Sequence, residues 1–349
     1  MMSLQKKLLF WYKDNRRDFP WRKSKDPYKV WLSEIILQQT RAAQGLPYFL
    51  KFENAFPTVQ SLAEAEEEEV LRLWQGLGYY SRARNLHFTA QTIVNDFNGI
   101  FPNEFKKLKS LKGIGDYTAS AIGSICFDLP EAVVDGNVYR MLSRIFALSI
   151  PIDSSPAHKV FKDKANLLMK GASPGEFNQA MMEFGALQCL PKNPNCGKCV
   201  FSSECIAYQQ GKVSHFPIKS KKIKVRKRFF NYLVLINSDR KTLIEKRIGA
   251  GIWQNLYQFP LLETNDTNIE IDENDVSSFL NHKGIKQIQS VIKYNDLPII
   301  HKLTHQHLEI IFWIVETTDL IRAGVKSDQL DDYPMPKALQ NFREKFFMN

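Results

Sequence analysis

Four of the five cysteines in this 349-residue chain fall between Cys189 and Cys205, spaced C-x6-C-x2-C-x5-C. Clustered thiols outside a secretory context point to metal rather than to disulfides. Four thiolates can hold one tetrahedral zinc or an iron–sulfur cubane, and the chemistry alone leaves both open. The spacing is neither the paired C-x2-C of a zinc ribbon nor the ferredoxin run. Lys192 and Lys198 lie inside the loops these ligands define, so the loop would also offer positive charge to a phosphate backbone. Cys126 stands apart in an apolar stretch and reads as a small buried hydrophobe.

Two carboxylates also stand out. Glu34 lies among apolar neighbours in Trp31-Leu32-Ser33-Glu34-Ile35-Ile36, where burial would raise its pKa and let it donate a proton; a solvent-facing helical glutamate is the alternative. Asp135 ends the apolar run Val133-Val134 and precedes Gly136-Asn137-Val138, which suits a rigid edge, or equally a helix N-cap. Upstream, Leu111-Lys112-Gly113-Ile114-Gly115-Asp116-Tyr117-Thr118 joins two helical patterns. Its glycines allow close backbone approach, and the N–H groups opening the next helix can bind an anion.

The elements that must position these groups change character along the chain. Up to about residue 190 the pattern is helical, with apolar positions three and four apart in Leu62–Trp74, Leu86–Asp96 and Tyr117–Phe127. Breaks containing Gly or Pro separate these stretches. The acidic run Glu66–Glu69 reads as an exposed helix start, suited to the helix dipole. Strand patterns follow at Phe229–Asn237, Thr242–Arg247 and Leu308–Val315. Between the two regimes, Lys212 to Arg228 holds eight Lys and Arg and no acid, most of the formal net charge of +10. Such a run is a solvated linker or a contact for a polyanion. The expected organisation is therefore a mainly α domain over 1–211, a basic linker over 212–228, and an α+β domain over 229–349. The apolar run Leu8–Tyr12 is too short for a signal core and no stretch could span a bilayer, so a cytoplasmic protein is expected.

Together these motifs resemble the helix-hairpin-helix DNA glycosylases of the endonuclease III superfamily, and within it the MutY adenine glycosylases. The matching residues are Pro20-Trp21-Arg22, Ser33-Glu34 through Gln38-Gln39-Thr40, Gly76-Leu77-Gly78-Tyr79-Tyr80-Ser81-Arg82-Ala83-Arg84-Asn85, Leu111–Thr118, Val134–Val138 and the four cysteines. They span nearly all of residues 17–205, and their joint occurrence is highly specific. The resemblance implies a 4Fe–4S cluster on Cys189, Cys196, Cys199 and Cys205. It also implies base excision repair of adenine opposite 8-oxoguanine or guanine. Glu34 would protonate the flipped adenine, Asp135, kept ionised, would stabilise the oxocarbenium-like sugar, and Tyr117 and Asn137 would support them. Bifunctional relatives carry lysine where Tyr117 stands, so a monofunctional enzyme is implied. Implied contacts with double-stranded DNA fall on Arg22, Gln39, Thr40, Leu77, Tyr79, Gly113 and Gly115. The expected protein is a monomer, with no membrane partner.

In the same family the C-terminal domain resembles a Nudix fold that reads the lesion. Gly249–Pro260 looks like its strand-and-turn region, while no R-E-x-x-E-E carboxylate group follows Pro260, so recognition is expected rather than a second hydrolysis. Leu303-Thr304-His305 stands where the family has Phe-Ser-His; Thr304 and His305 keep the hydroxyl and imidazole and are the expected lesion contacts. His301, His305 and His307 have no Cys or carboxylate set that would make them a metal site.

Overall fold

The computed structural model describes residues 2–220, 225–264, 271–319, 321 and 324–347. It divides into two compact units: Met1–Ala65 with Arg84–Lys221, and Glu66–Ala83 with Lys222–Asn349. No helix among the described residues is long and apolar enough to cross a membrane.

The helices run in order α1 (Leu4–Asn15), α2 (Pro27–Leu37), α3 (Ala42–Ala55), α4 (Val59–Glu64), α5 (Glu67–Leu73), α6 (Ser81–Phe97), α7 (Phe105–Ser110), α8 (Asp116–Phe127), α9 (Gly136–Phe146), α10 (Ala157–Met169), α11 (Pro174–Leu187) and the single turn α12 (Ile206–Gln209). Local signals explain several starts. Asp26 caps α2 by accepting from the Tyr28 N–H, with Pro27 at the first helical position. Thr58 and Ser61 form a reciprocal capping box at α4. In the first unit α2 packs on α3 and α8, while α11 packs on α1, α8 and α9. Tyr28 and every residue from Val30 to Ile36 are buried, so α2 is a core helix with no polar face.

The expected helix Leu62–Trp74 is broken. Ala65 is extended (ψ 153°), and Glu66 starts α5 with Glu67, Glu68 and Glu69 in its first turn. The acidic run does open a helix. That break is also where the chain passes from the first unit to the second.

The second unit is built on a five-stranded sheet of β1 (Arg226–Ile236), β5 (Leu261–Thr264), β6 (Ile288–Lys293), β7 (Ile299–Lys302) and β8 (Gln306–Thr317); β2 (Lys241–Thr242), β3 (Glu245–Lys246), β4 (Tyr257–Gln258) and β9 (Val325–Lys326) are two-residue pairings off it. β1 and β8 run parallel at the centre, in register from Arg226 opposite Gln306 to Ile236 opposite Glu316. β5 pairs antiparallel with β1, and both β6 and β7 pair antiparallel with β8. Leu233, Leu235, Trp313 and Val315 bury one face under Val276 and Leu280 of α13 (Glu273–His282). On the other face Phe312 stacks on Phe342 of α14 (Lys337–Phe347), with ring centroids 3.9 Å apart. A mixed sheet with a helix against each face is an α+β domain, the class expected for this half of the chain. The expected strand at Phe229 begins three residues earlier. Arg226, Lys227 and Arg228 of the basic run are thus sheet residues, with Arg228 paired to Glu263 and Lys227 to Glu309. Lys221, Lys222 and Lys224 lie outside the described residues.

Candidate active site

A cleft of about 770 Å³ opens in the first unit, and its walls include Arg22, Glu34, Gln39, Thr40, Tyr117, Asp135 and Asn137. In the sequence these residues are spread over more than a hundred positions. Here they meet.

Glu34 is only 8 % exposed, which settles it as a core-facing residue rather than a solvated one. Its Oε2 accepts a 2.6 Å hydrogen bond from the Tyr117 hydroxyl. Burial raises the Glu34 pKa to about 7, reinforced by the nearby Asp135 charge and opposed by Tyr117 and Arg22. Burial, with Glu34 and Asp135 beside it, holds the Tyr117 pKa well above its ordinary value, so the hydroxyl remains a donor.

Asp135 is both things the sequence allowed. It caps α9, Oδ1 accepting from the Val138 N–H at 2.8 Å, and Oδ2 faces Asn137, whose Nδ2 donates at 2.7 Å. The expectation that it is held ionised meets an opposing force: burial raises its pKa, against hydrogen bonds from Val138 and Asn137 and the charge of Arg140. The division of labour follows from counting donors. Asp135 receives both a backbone N–H and a side-chain amide, Glu34 receives one phenol, and two neighbouring carboxylates resist sharing two charges. The proton of the pair therefore belongs on Glu34.

Two residues of this site carried no signal in the motifs. Arg140 lies one turn beyond Asn137 on α9; its guanidinium donates to Asn137 Oδ1 at 2.8 Å, to the Gly185 carbonyl at 2.6 Å and to the Cys189 carbonyl at 2.7 Å. It could have been found as the cation one helical turn past Asp-Gly-Asn. Glu183 on α11 has a side chain only 1 % exposed, yet it is bonded by both Arg17 and Arg22 at 2.8 Å. Those partners pull its pKa down to about 2 against the cost of burial. A helical glutamate announces nothing in sequence. Here it anchors two arginines on the cleft wall.

The hairpin carries the next pair of expected contact residues. Gly113 adopts φ +78°, and a Cβ there would stand 2.8 Å from Asn85 Cβ, so glycine is required on both counts. Ile114 is buried and pins the turn, leaving Gly113 and Gly115 exposed at the start of α8. Gln39, at φ 56°, is exposed, and Thr40 is half-buried.

In the second unit the structure joins two expected contact residues. The Tyr79 hydroxyl is hydrogen-bonded to Thr304 Oγ1, both side chains being exposed. His305 is exposed beside them, whereas Leu77 is buried at 6 % exposure. Glu67 accepts from Asn255 at 2.6 Å, and Glu68 from Tyr257 at 2.8 Å and Lys246 at 2.7 Å, so α5 is held to the sheet unit. Glu67 and Glu68 of the acidic run are thus partnered, while Glu66 and Glu69 are exposed. His301 packs against the Trp253 ring instead of joining His305 and His307.

The four clustered cysteines line one small apolar pocket in the first unit, with Phe184, Phe201 and Tyr208. Among the described residues no group of three His, Cys, Asp or Glu is placed to hold a metal ion as it stands. The pocket nevertheless fits thiolate ligands. The Arg144 guanidinium lies 3.4 Å from Cys189 Sγ, and the Phe201 N–H donates to Cys199 Sγ at 3.4 Å. Burial and the neighbouring sulfurs raise the Cys196, Cys199 and Cys205 pKa values, that of Cys199 to about 11, and a bound cation would oppose that shift by favouring the thiolates. Cys126 sits on α8 with its thiol pushed by burial to about 12, an inert packing residue.

Residues 32–163 match the HhH-GPD superfamily base excision DNA repair protein family, and residues 231–345 match the NUDIX domain family. An adenine DNA glycosylase of Buchnera aphidicola subsp. Baizongia pistaciae is 36% identical over 312 residues, covering 88% of this chain and 85% of that protein. One from Buchnera aphidicola subsp. Schizaphis graminum is 35% identical over 349 residues, covering 97% of each. Among solved structures, a thermostable thymine-DNA glycosylase is 30% identical with a TM-score of 0.55, covering 59% of this chain and 95% of that one. The identity runs through both units, and the chain belongs to the adenine DNA glycosylase family of base excision repair enzymes.

Proposed function

We propose that this protein is a monofunctional glycosylase that removes adenine paired with 8-oxoguanine or guanine in double-stranded DNA. The observation that carries the reading is the buried Glu34 hydrogen-bonded to Tyr117, beside an Asp135 held by two donors, in one open cleft. A base must leave the helical stack to enter such a cleft. Glu34 then gives its proton to an adenine ring nitrogen as the bond to the sugar breaks, and the bond's electron pair leaves with the base. The Asp135 carboxylate faces the cationic sugar until water adds to it. Tyr117 cannot supply the amine of a Schiff base, so the strand is left intact.

Arg17 and Arg22, fixed by Glu183, and the hairpin N–H groups at Gly113 and Gly115 are positioned for a polyanion. In the second unit, the joined Tyr79 and Thr304 hydroxyls beside His305 supply hydrogen-bonding groups of the kind an oxidised purine needs. Cys189, Cys196, Cys199 and Cys205, which line one apolar pocket, would hold a 4Fe–4S cluster, the group that the family resemblance implies for this cysteine spacing. When bound, the cluster supplies a rigid, cationic loop carrying Lys192 and Lys198.

The test is chemical analysis of the products from an A:8-oxoguanine duplex. Free adenine with an uncut strand, and no adduct after borohydride reduction, is expected; a trapped adduct would overturn the monofunctional assignment. Iron and acid-labile sulfide in about equal amounts, near four of each per chain, is the result expected for the cluster. Zinc without sulfide would contradict it.

A further inference from the structure

The seven residues between α8 and Asp135, from Asp128 to Val134, form neither helix nor strand, yet Ala132, Val133 and Val134 are buried. Buried backbone without a ladder partner must find its hydrogen bonds elsewhere. Two asparagine side chains supply them. Asn166 Oδ1 accepts from the Ala132 N–H at 2.8 Å. Asn178, on α11 and fully buried, does more: Oδ1 accepts from the Val133 N–H at 3.0 Å while Nδ2 donates to the Glu131 carbonyl at 2.8 Å. Its other amide proton goes to Ser124 Oγ on α8, also at 2.8 Å.

A side-chain amide that accepts from one residue and donates to another two positions earlier reproduces the pairing a neighbouring strand would give. Asn178 reaches that place because α11 crosses α8 at contact distance. A Cβ on Gly175 would stand 2.9 Å from Ile125 Cα and 3.0 Å from the Ser124 carbonyl oxygen. The bracketed residues end two positions before Asp135.

We propose that Asn178 is a positioning residue for base excision: its amide replaces a missing strand along Glu131–Val133 and so fixes where the Asp135 carboxylate stands in the cleft. The claim rests on the reaction proposed above. Displacement of a reacting group by about an ångström can cost on the order of 100-fold in rate without weakening binding.

The experiment compares Asn178→Ala, Asn178→Asp and Ser124→Ala in the full chain. Asn178→Asp keeps the shape but loses both donations, and Ser124→Ala removes one partner without touching the Glu131–Val133 bracket. Single-turnover excision is measured per active enzyme, together with affinity for a duplex carrying a non-hydrolysable adenosine analogue and hydrogen exchange at the Val133 amide. Both Asn178 variants should lose about 10- to 100-fold in rate while keeping affinity within about threefold. Val133 should exchange faster in Asn178→Ala but not in Asn178→Asp, whose carboxylate still accepts that N–H; amides within α8 and α9 should keep their protection in both, and Ser124→Ala should excise at close to the wild-type rate. An unchanged rate constant with only a smaller active fraction, or equal slowing by Ser124→Ala, would overturn the positioning role. An inactive wild type would overturn the reaction itself, and the exchange measurement would still decide the bracket: unchanged Val133 protection in Asn178→Ala sinks it.

Discussion

Glu34 and Asp135 are chemically almost the same group, and what separates them is the number of donors the fold aims at each. Glu34, with one phenol for company, has its pKa raised to about 7. Substituting Glu34→Gln should lower excision by about 100- to 10,000-fold, the usual span for a lost general acid, while leaving DNA affinity nearly intact. Turnover near the wild-type level in that variant would remove Glu34 from the mechanism. The same shift has a sign in stability. Because the folded pKa lies above that of an unfolded chain, the folded state keeps a proton that the unfolded chain has already lost. The stability this gives is complete below the ordinary glutamate range and drains away as pH rises through about 7. Glu34→Gln should therefore melt increasingly above the wild type as pH climbs from about 5 to about 8, a comparison that calorimetry at several pH values makes directly. A constant difference in melting temperature would mean Glu34 is not a raised acid. At this scale the sequence was informative wherever a motif combined an unusual residue with its neighbours, as in Asp135-Gly136-Asn137. It was silent on Glu183 and Asn178, helical residues whose importance comes entirely from groups more than forty positions away.

Helices place these groups by approaching one another more closely than side chains normally allow. Gly185 of α11 lies where a Cβ would fall 2.5 Å from Asn137 Cβ and 2.9 Å from its carbonyl oxygen. Gly185→Ala should push Asn137 away from Asp135, slowing excision by about 10- to 100-fold. It should also destabilise the unit by about 1–3 kcal/mol, as overpacking does. Rates per active enzyme and melting curves separate the two, and an unaltered rate would show that Asn137 does not orient Asp135. In the hairpin, Gly113→Ala meets both a left-handed backbone and Asn85, and should weaken binding to any duplex irrespective of the pair it contains. A loss confined to mispaired duplexes would contradict a phosphate-binding role. Element types were legible from periodicity: α6, α8, β1 and β8 appear where expected, with ends shifted by a few residues. The break at Ala65-Glu66 was not, because the apolar spacing runs on through it. Only the capping preference of the acidic run marked a fresh start.

The two units divide the chain differently from a single cut at the basic linker. Glu66–Ala83 clusters with the C-terminal sheet, held through Glu67, Glu68 and the Tyr80 hydroxyl on the Met335 carbonyl. Periodicity cannot report this, since a helix docked on a distant sheet reads like any other amphipathic helix. Tyr79 and Thr304 thereby belong to one unit although 225 positions separate them. Deleting residues 229–349 should strip α5 of these partners and lower excision opposite 8-oxoguanine more than opposite guanine; equal loss on both duplexes would argue that the second unit reads no lesion. The central claim, acid-assisted removal of adenine, is tested most directly by single-turnover release of adenine from A:8-oxoguanine, A:G and A:T duplexes by the wild type and Glu34→Gln. The account predicts fast release opposite 8-oxoguanine, slower release opposite guanine, little from A:T, a rate that falls as pH rises through about 7, and near-complete loss in Glu34→Gln. Release that is indifferent to the opposing base and survives Glu34→Gln would contradict it.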